Sequence, residues 1–82
     1  MNESEIISAI GIRTYSSWTI GITDDPARRK AEHEAEGKNV KSWQDWKADT
    51  ETIARNVEKY FQDKGMKGST GGGEHPTYVY IF

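Results

Sequence analysis

The sequence predicts a small α/β domain, a sheet of two to three strands packed with about three helices. Three stretches carry this expectation. Residues Thr77 to Phe82 read T-Y-V-Y-I-F, the strongest strand in the chain by propensity. Residues Trp18 to Thr23 alternate, with Trp18, Ile20 and Ile22 on one face and Thr19, Gly21 and Thr23 on the other. Residues Asp49 to Lys64 place Ile53, Ala54, Val57, Tyr60 and Phe61 on one helical stripe.

The elements follow in chain order. Asn2 with Glu5 three residues on has capping-box spacing, and Ile6, Ile7 and Ile10 recur at helical intervals before Gly11. A short helix is expected there. A third, edge strand is expected around Gly11 to Tyr15. The Trp18–Thr23 strand should bury one face. Its glycine, Gly21, marks a bulge or a place where another group comes close. Asp25 and Pro26 form a helix start, an N-cap followed by a proline that gives up no needed N–H. That helix should run from Pro26 to about Glu36 and close at Gly37. Its charges are reversed: Arg28, Arg29 and Lys30 stand near the N-terminus and Glu32, Glu34 and Glu36 near the C-terminus. This order opposes the helix dipole by roughly 0.3–1 kcal/mol per exposed charge. It points to a role for the cations beyond helix stability.

Trp43 and Trp46, three residues apart, read as a short helical turn whose indoles cover the sheet. Exposed, the same rings would offer a platform for stacking bases. Asp49 or Thr50 caps the next helix and Gly65 ends it. Glu58 falls on the flank of its stripe. Met66 to Pro76 is glycine-rich and lacks the spacing of a phosphate loop, so it reads as a connector. Thr77 to Phe82 is apolar or aromatic on both faces, as an interior strand would be.

Composition narrows the setting. At 82 residues the chain makes one domain. A domain of this size buries only about 60% of its unfolded surface. Apolar residues are 34% of the chain, a small supply for a core, and three Trp, four Tyr and two Phe partly compensate. The absence of cysteine excludes a disulfide framework and thiolate zinc sites. No apolar run approaches the roughly 18 residues of a membrane span, and the start is acidic where a signal peptide is basic. The expected location is the cytoplasm, with no membrane partner. The net charge of −2 and pI near 5.6 lack the basic surplus of a dedicated nucleic-acid binder, so any anion site must be a local patch.

One stretch suggests a family. Thr19-Ile20-Gly21 ends a strand; Arg29 follows Gly21 by eight residues and His33 follows Arg29 by four, with Thr23, Pro26 and Arg28 around the turn. This resembles the second half of the GIY-YIG endonuclease signature over about sixteen residues. Glu58, in A-R-N-V-E-K-Y-F, stands where that family carries a metal-binding glutamate. The chain departs from the pattern at two points. Thr19 replaces the motif tyrosine, and Gly11-Ile12-Arg13 is a poor first motif, with Arg13 in place of its tyrosine. In the family-like arrangement the Thr77–Phe82 strand would fill the missing strand's place, so that Tyr78 or Tyr80 supplies the phenol.

The resemblance implies phosphodiester cleavage with Mg²⁺ or a similar divalent cation on Glu58, Arg29 on the phosphate, and His33, Tyr15, Tyr78 or Tyr80 as the base. A threonine at position 19 replaces a phenol neither by reach nor by acidity, and a lost acid or base costs about 10²–10⁴ in rate. The expectation is therefore a divergent GIY-YIG-like domain that binds DNA or RNA through Arg28, Arg29 and Lys30, with weak or absent nuclease activity. The alternative is a non-catalytic module that keeps the fold and contacts another protein through an aromatic or loop surface. A third reading, an anion site at the glycine-rich loop and Lys67, has less support.

Overall fold

The computed structural model describes residues 1–69 and 73–82. Its elements are α1 (Glu3–Ile10), a 3₁₀ turn (Tyr15–Ser17), β1 (Thr19–Thr23), α2 (Pro26–Ala35), β2 (Gln44–Lys47), α3 (Glu51–Asp63), β3 (Lys67–Gly68) and β4 (Tyr78–Ile81). The strands form one mixed sheet in the order β2-β4-β1-β3. β4 runs antiparallel to both β1 and β2, and β3 is parallel to β1. The α/β class and the three helices agree with the sequence reading.

The helix signals act as expected. Asn2 and Glu5 complete a capping box on α1, Asp25 accepts from the Arg28 amide at the start of α2, and Thr50 accepts from the Ile53 amide at the start of α3. Gly37 follows α2 in the left-handed conformation at φ 86°. On one sheet face α1 and α3 bury Ile6, Ile10, Ala54, Val57 and Phe61 against Ile20, Ile22, Val79 and Ile81. Tyr60, expected on the stripe, sits at its margin and is exposed.

Four expectations change. The strand around Gly11 to Tyr15 is a loop and a 3₁₀ turn; the sheet edge beside β1 is filled instead by β3, from within the glycine-rich stretch. The helical turn expected at Trp43 and Trp46 is replaced by β2, with Trp43 just before the strand and Trp46 inside it. In a strand, residues three apart face opposite ways, and Trp46 joins the α3-side core while Trp43 lies over Tyr80. β1 is buried on both faces, with Gly21 and Thr23 as inaccessible as Ile20. The second cover is α2 and the chain that follows it. The connector reading of residues 66–76 gives way to β3 at Lys67 and Gly68, while residues 70–72 of that stretch lie outside the described residues. Among the described residues no helix is long and apolar enough to cross a membrane.

Candidate functional site

The α2 side of the sheet carries the chemistry. β4 lies beside β1 with Tyr80 paired to Gly21. A side chain at Gly21 would collide with the Tyr80 ring and hydroxyl, so the glycine is the space in which the ring lies. The close approach read from the lone strand glycine is the Tyr80 phenol. The C-terminal strand also occupies the place beside β1 that the sequence reading assigned to it.

Tyr80, 1% exposed, is the hub of a polar cluster under α2. Its hydroxyl donates to Ser69 Oγ at 2.8 Å and lies 3.0 Å from His33 Nε2. Ser69 Oγ is 3.3 Å from the same nitrogen and accepts from Arg29 Nη2 at 3.2 Å. Arg29 Nη1 donates to Glu32 at 3.2 Å, and the Tyr80 hydroxyl is a further partner of the guanidinium. Burial opposes the Arg29 charge, but Tyr80 and Glu32 outweigh it and hold the pKa above the ordinary arginine value.

His33 has a fully buried side chain, beneath Phe82, Tyr80 and Trp43 at ring separations of 4.6, 5.6 and 6.1 Å. Burial lowers its pKa, and the nearby Arg29 and Lys38 cations lower it further, so the ring is neutral at neutral pH. The Lys38 ammonium and the Glu36 carboxylate both reach Nδ1 at 3.4 Å. With the Tyr80 hydrogen on Ser69, Nε2 of the neutral ring carries its hydrogen and donates to the Tyr80 oxygen, which leaves Nδ1 to accept from Lys38. Trp43 completes the wall, stacked on Tyr80 at 4.4 Å and 8°, with its indole N–H on Asp45 at 2.8 Å.

A buried neutral histidine makes stability depend on pH. The unfolded chain takes up a proton near the ordinary value of about 6.5, and the folded chain only at lower pH. The His33 contribution is therefore full above that value and is lost as pH falls toward the folded pKa. The urea midpoint of the wild type should drop between about pH 7.5 and about pH 5.5. In a His33→Gln variant the drop should be visibly smaller. Equal drops in the two proteins would assign the pH dependence to other groups.

Of the residues singled out in the sequence, Arg29, His33 and Tyr80 come together. Tyr78 points to the same side two residues away but is outside the cluster, paired with Thr23 and Lys47 and with the Lys47 ammonium over its ring. Arg28 is tied to Asp24 at 2.6 Å. Lys30 is exposed on α2. Tyr15 packs on Phe61, on the α3 side, its hydroxyl 3.5 Å from the Gly11 carbonyl.

Glu58 is the main correction. It rides on α3, whose stripe packs on the sheet face carrying Ile20, Ile22, Val79 and Ile81, whereas Arg29 and Tyr80 lie on the other face. Glu58 and Arg29 therefore do not meet at one phosphate. Burial raises the Glu58 pKa, disfavouring the charged form a cation needs, with Arg55 offsetting part of this. Among the described residues no three His, Asp or Glu side chains gather.

Ser69, Phe82 and Lys38 are the site residues the sequence reading missed. Ser69 and Arg29 are brought together only by β3 pairing with β1, and nothing local in a glycine-rich run announces that pairing. Compared with models of known protein families, with characterised proteins and with solved structures, the chain matches none.

Proposed function

We propose that this domain binds the phosphate backbone of nucleic acid at Arg29, with weak or absent phosphodiester cleavage. The observation that carries the reading is the Arg29 guanidinium. It is positioned by Ser69 and Tyr80, and its Nη1 edge is turned to an exposed carboxylate, Glu32. Glu32 is half exposed, and an i,i+3 pair on a helix is worth about 0.2–0.5 kcal/mol. A phosphate that accepts two guanidinium N–H bonds is held more strongly and can displace it.

Lys30 and Lys67 add local charge. Lys30 neighbours Arg29 on α2, and the pairing of Lys67 with Thr19 turns Lys67 to the same face. Both are exposed and in no ion pair among the described residues. Such a patch offsets a net charge of −2 within a Debye length of about 8–10 Å. The reading of weak cleavage rests on two placements: Glu58 lies beyond the sheet, and the Tyr80 hydroxyl is buried and already engaged. The protein-interaction alternative, in its aromatic form, needs free aromatic surface, whereas Trp43 is committed to the Tyr80 stack and Trp46 to the core.

The test is fluorescence anisotropy with a labelled single-stranded oligonucleotide at low salt. Wild type should bind. Arg29→Lys, which keeps the charge and loses the fork, should bind about tenfold more weakly. Lys30→Ala should lower the slope of log K against log salt by about one. Chelating divalent cations should leave affinity unchanged. No binding by the wild type at low salt, or equal affinity in the Arg29→Lys protein, sinks the proposal.

A further inference from the structure

A cleft of about 300 Å³ opens beside the polar cluster, lined by Ser17, Trp18, Asn39, Ser42 and Phe82. Three separate segments build it: the 3₁₀ turn leading into β1, the chain between α2 and β2, and the residue after β4. Its lining contains two aromatic rings and three neutral polar side chains, and no charged side chain.

Both rings are fixed. Arg13 lies over Trp18 at 4.5 Å, its own guanidinium held by the Ile10 carbonyl at 2.9 and 2.6 Å. Phe82 lies beside Tyr80 at 6.0 Å, both rings near-parallel to Trp43, which is 5.6 Å from Phe82, and it also contacts His33 at 4.6 Å. The polar groups, by contrast, have capacity to spare. The Ser17 and Ser42 hydroxyls and the Trp18 indole N–H have no hydrogen-bond partner among the described residues. Asn39 uses its carbonyl oxygen, which accepts from the Lys41 amide at 3.0 Å, and this leaves its NH₂ group to donate.

Rigid aromatic walls with unspent neutral donors and acceptors suit a flat, uncharged, aromatic ligand with hydrogen-bonding edges. An anion would find no cation in the lining, and an aliphatic chain would leave the polar groups unmatched. A nucleobase meets both conditions. We propose that the cleft is a nucleobase subsite, which takes one unpaired base of the strand whose phosphate sits at Arg29. The Phe82 wall touches His33, and His33 touches the Tyr80 hydroxyl that partners Arg29, so side-chain contacts link the two subsites, while Trp18, packed against the α3-side core, walls the cleft at the end of the sheet. This rests on the phosphate reading above and adds a selectivity to it. A base held between side chains must have left its stack, so the domain selects single strands over duplex.

Two experiments separate this proposal from the phosphate reading. The first compares wild-type affinity for three labelled 12-mers of equal charge per strand: a single strand with bases, an abasic single strand, and a duplex. The base-bearing strand should bind about tenfold more tightly than the abasic one, which is about 1.4 kcal/mol. Ser42→Phe places a ring in the cleft from an exposed position, and it should erase that difference while leaving the abasic strand's affinity intact. Equal binding of the base-bearing and abasic strands by wild type overturns the base subsite and leaves the phosphate reading standing.

The second experiment titrates adenosine and cytidine, which carry no phosphate, into isotope-labelled protein. The Trp18 indole N–H and Asn39 side-chain amide resonances should shift in wild type and stay still in Ser42→Phe. Shifts without any oligonucleotide binding would keep the cleft and remove the phosphate site. No shift with either nucleoside overturns the subsite.

Discussion

Gly21→Ala is expected to be among the most damaging single-methyl changes available in this chain. The added Cβ would meet the Tyr80 ring and hydroxyl, and neither side can retreat. Gly21 lies within β1, between β4 and β3. The Tyr80 ring is stacked on Trp43 and its hydroxyl is engaged by Ser69 and His33. Overpacking of this kind costs about 1–3 kcal/mol and sometimes more. Folded domains hold about 0.05–0.15 kcal/mol per residue, which gives this chain about 4–12 kcal/mol in all. The variant should show a clearly lower urea midpoint, and Gly21→Val should fail to fold. Combining Gly21→Ala with Tyr80→Leu should cost less than the sum of the two, because the smaller side chain removes the clash. A coupling of about 0.5–3 kcal/mol is expected. An unchanged midpoint in Gly21→Ala would mean that the ring does not lie over the glycine.

Tyr80→Ala should be as costly, by a different route. Truncating a buried large aromatic residue typically loses about 3–5 kcal/mol. Here it would also strip the packing from one face of Trp43 and remove a hydrogen-bond partner from both Ser69 and His33. Tyr80→Phe separates the two contributions. It keeps the ring and deletes the hydroxyl, so its cost should be confined to the about 1–3 kcal/mol of unpaired buried polar groups. Tryptophan emission reports on the difference: it should move to longer wavelength in Tyr80→Ala, where Trp43 gains water, and stay in place in Tyr80→Phe. Equal stability of the two variants would place the whole effect in the hydroxyl.

These residues also show which features can be read from a sequence. The helices were legible because capping and stripe periodicity are local: Asn2 with Glu5, Asp25 with Pro26, and Thr50 ahead of Ile53 each act within one turn. β4 was legible because six residues apolar on both faces suit only a covered strand. Arg29 and His33, four apart on α2, share a helix face before any tertiary contact is known.

The rest depends on pairings between distant segments. Gln44–Lys47 is a polar edge strand with one indole, so the Trp43–Trp46 interval was all there was to read, and it fits a helix as well as a strand. β3 is two residues long and exists only because β1 offers it a parallel edge. Glu58 was placed with Arg29 because it stands in an apolar, alanine-containing helical run like the one that carries the family's glutamate. The spacing of residues along a chain does not reveal which face of a sheet each helix covers, and here α2 and α3 cover opposite faces.

The sheet order carries a kinetic consequence. The central ladder joins Ile20 to Ile81 and Thr23 to Tyr78, across most of the chain's length. Helices of this size relax in about 0.1–1 µs, but a ladder between distant segments must first meet the entropy of closing the loop between them. Until β4 arrives, β1 has no antiparallel partner, and its Ile20 and Ile22 are an apolar strand with open hydrogen-bonding groups. Such a species pairs readily with other copies of itself. Variants that delay β4 should therefore lose yield to aggregation during refolding in proportion to protein concentration, even where the folded state, once formed, is stable.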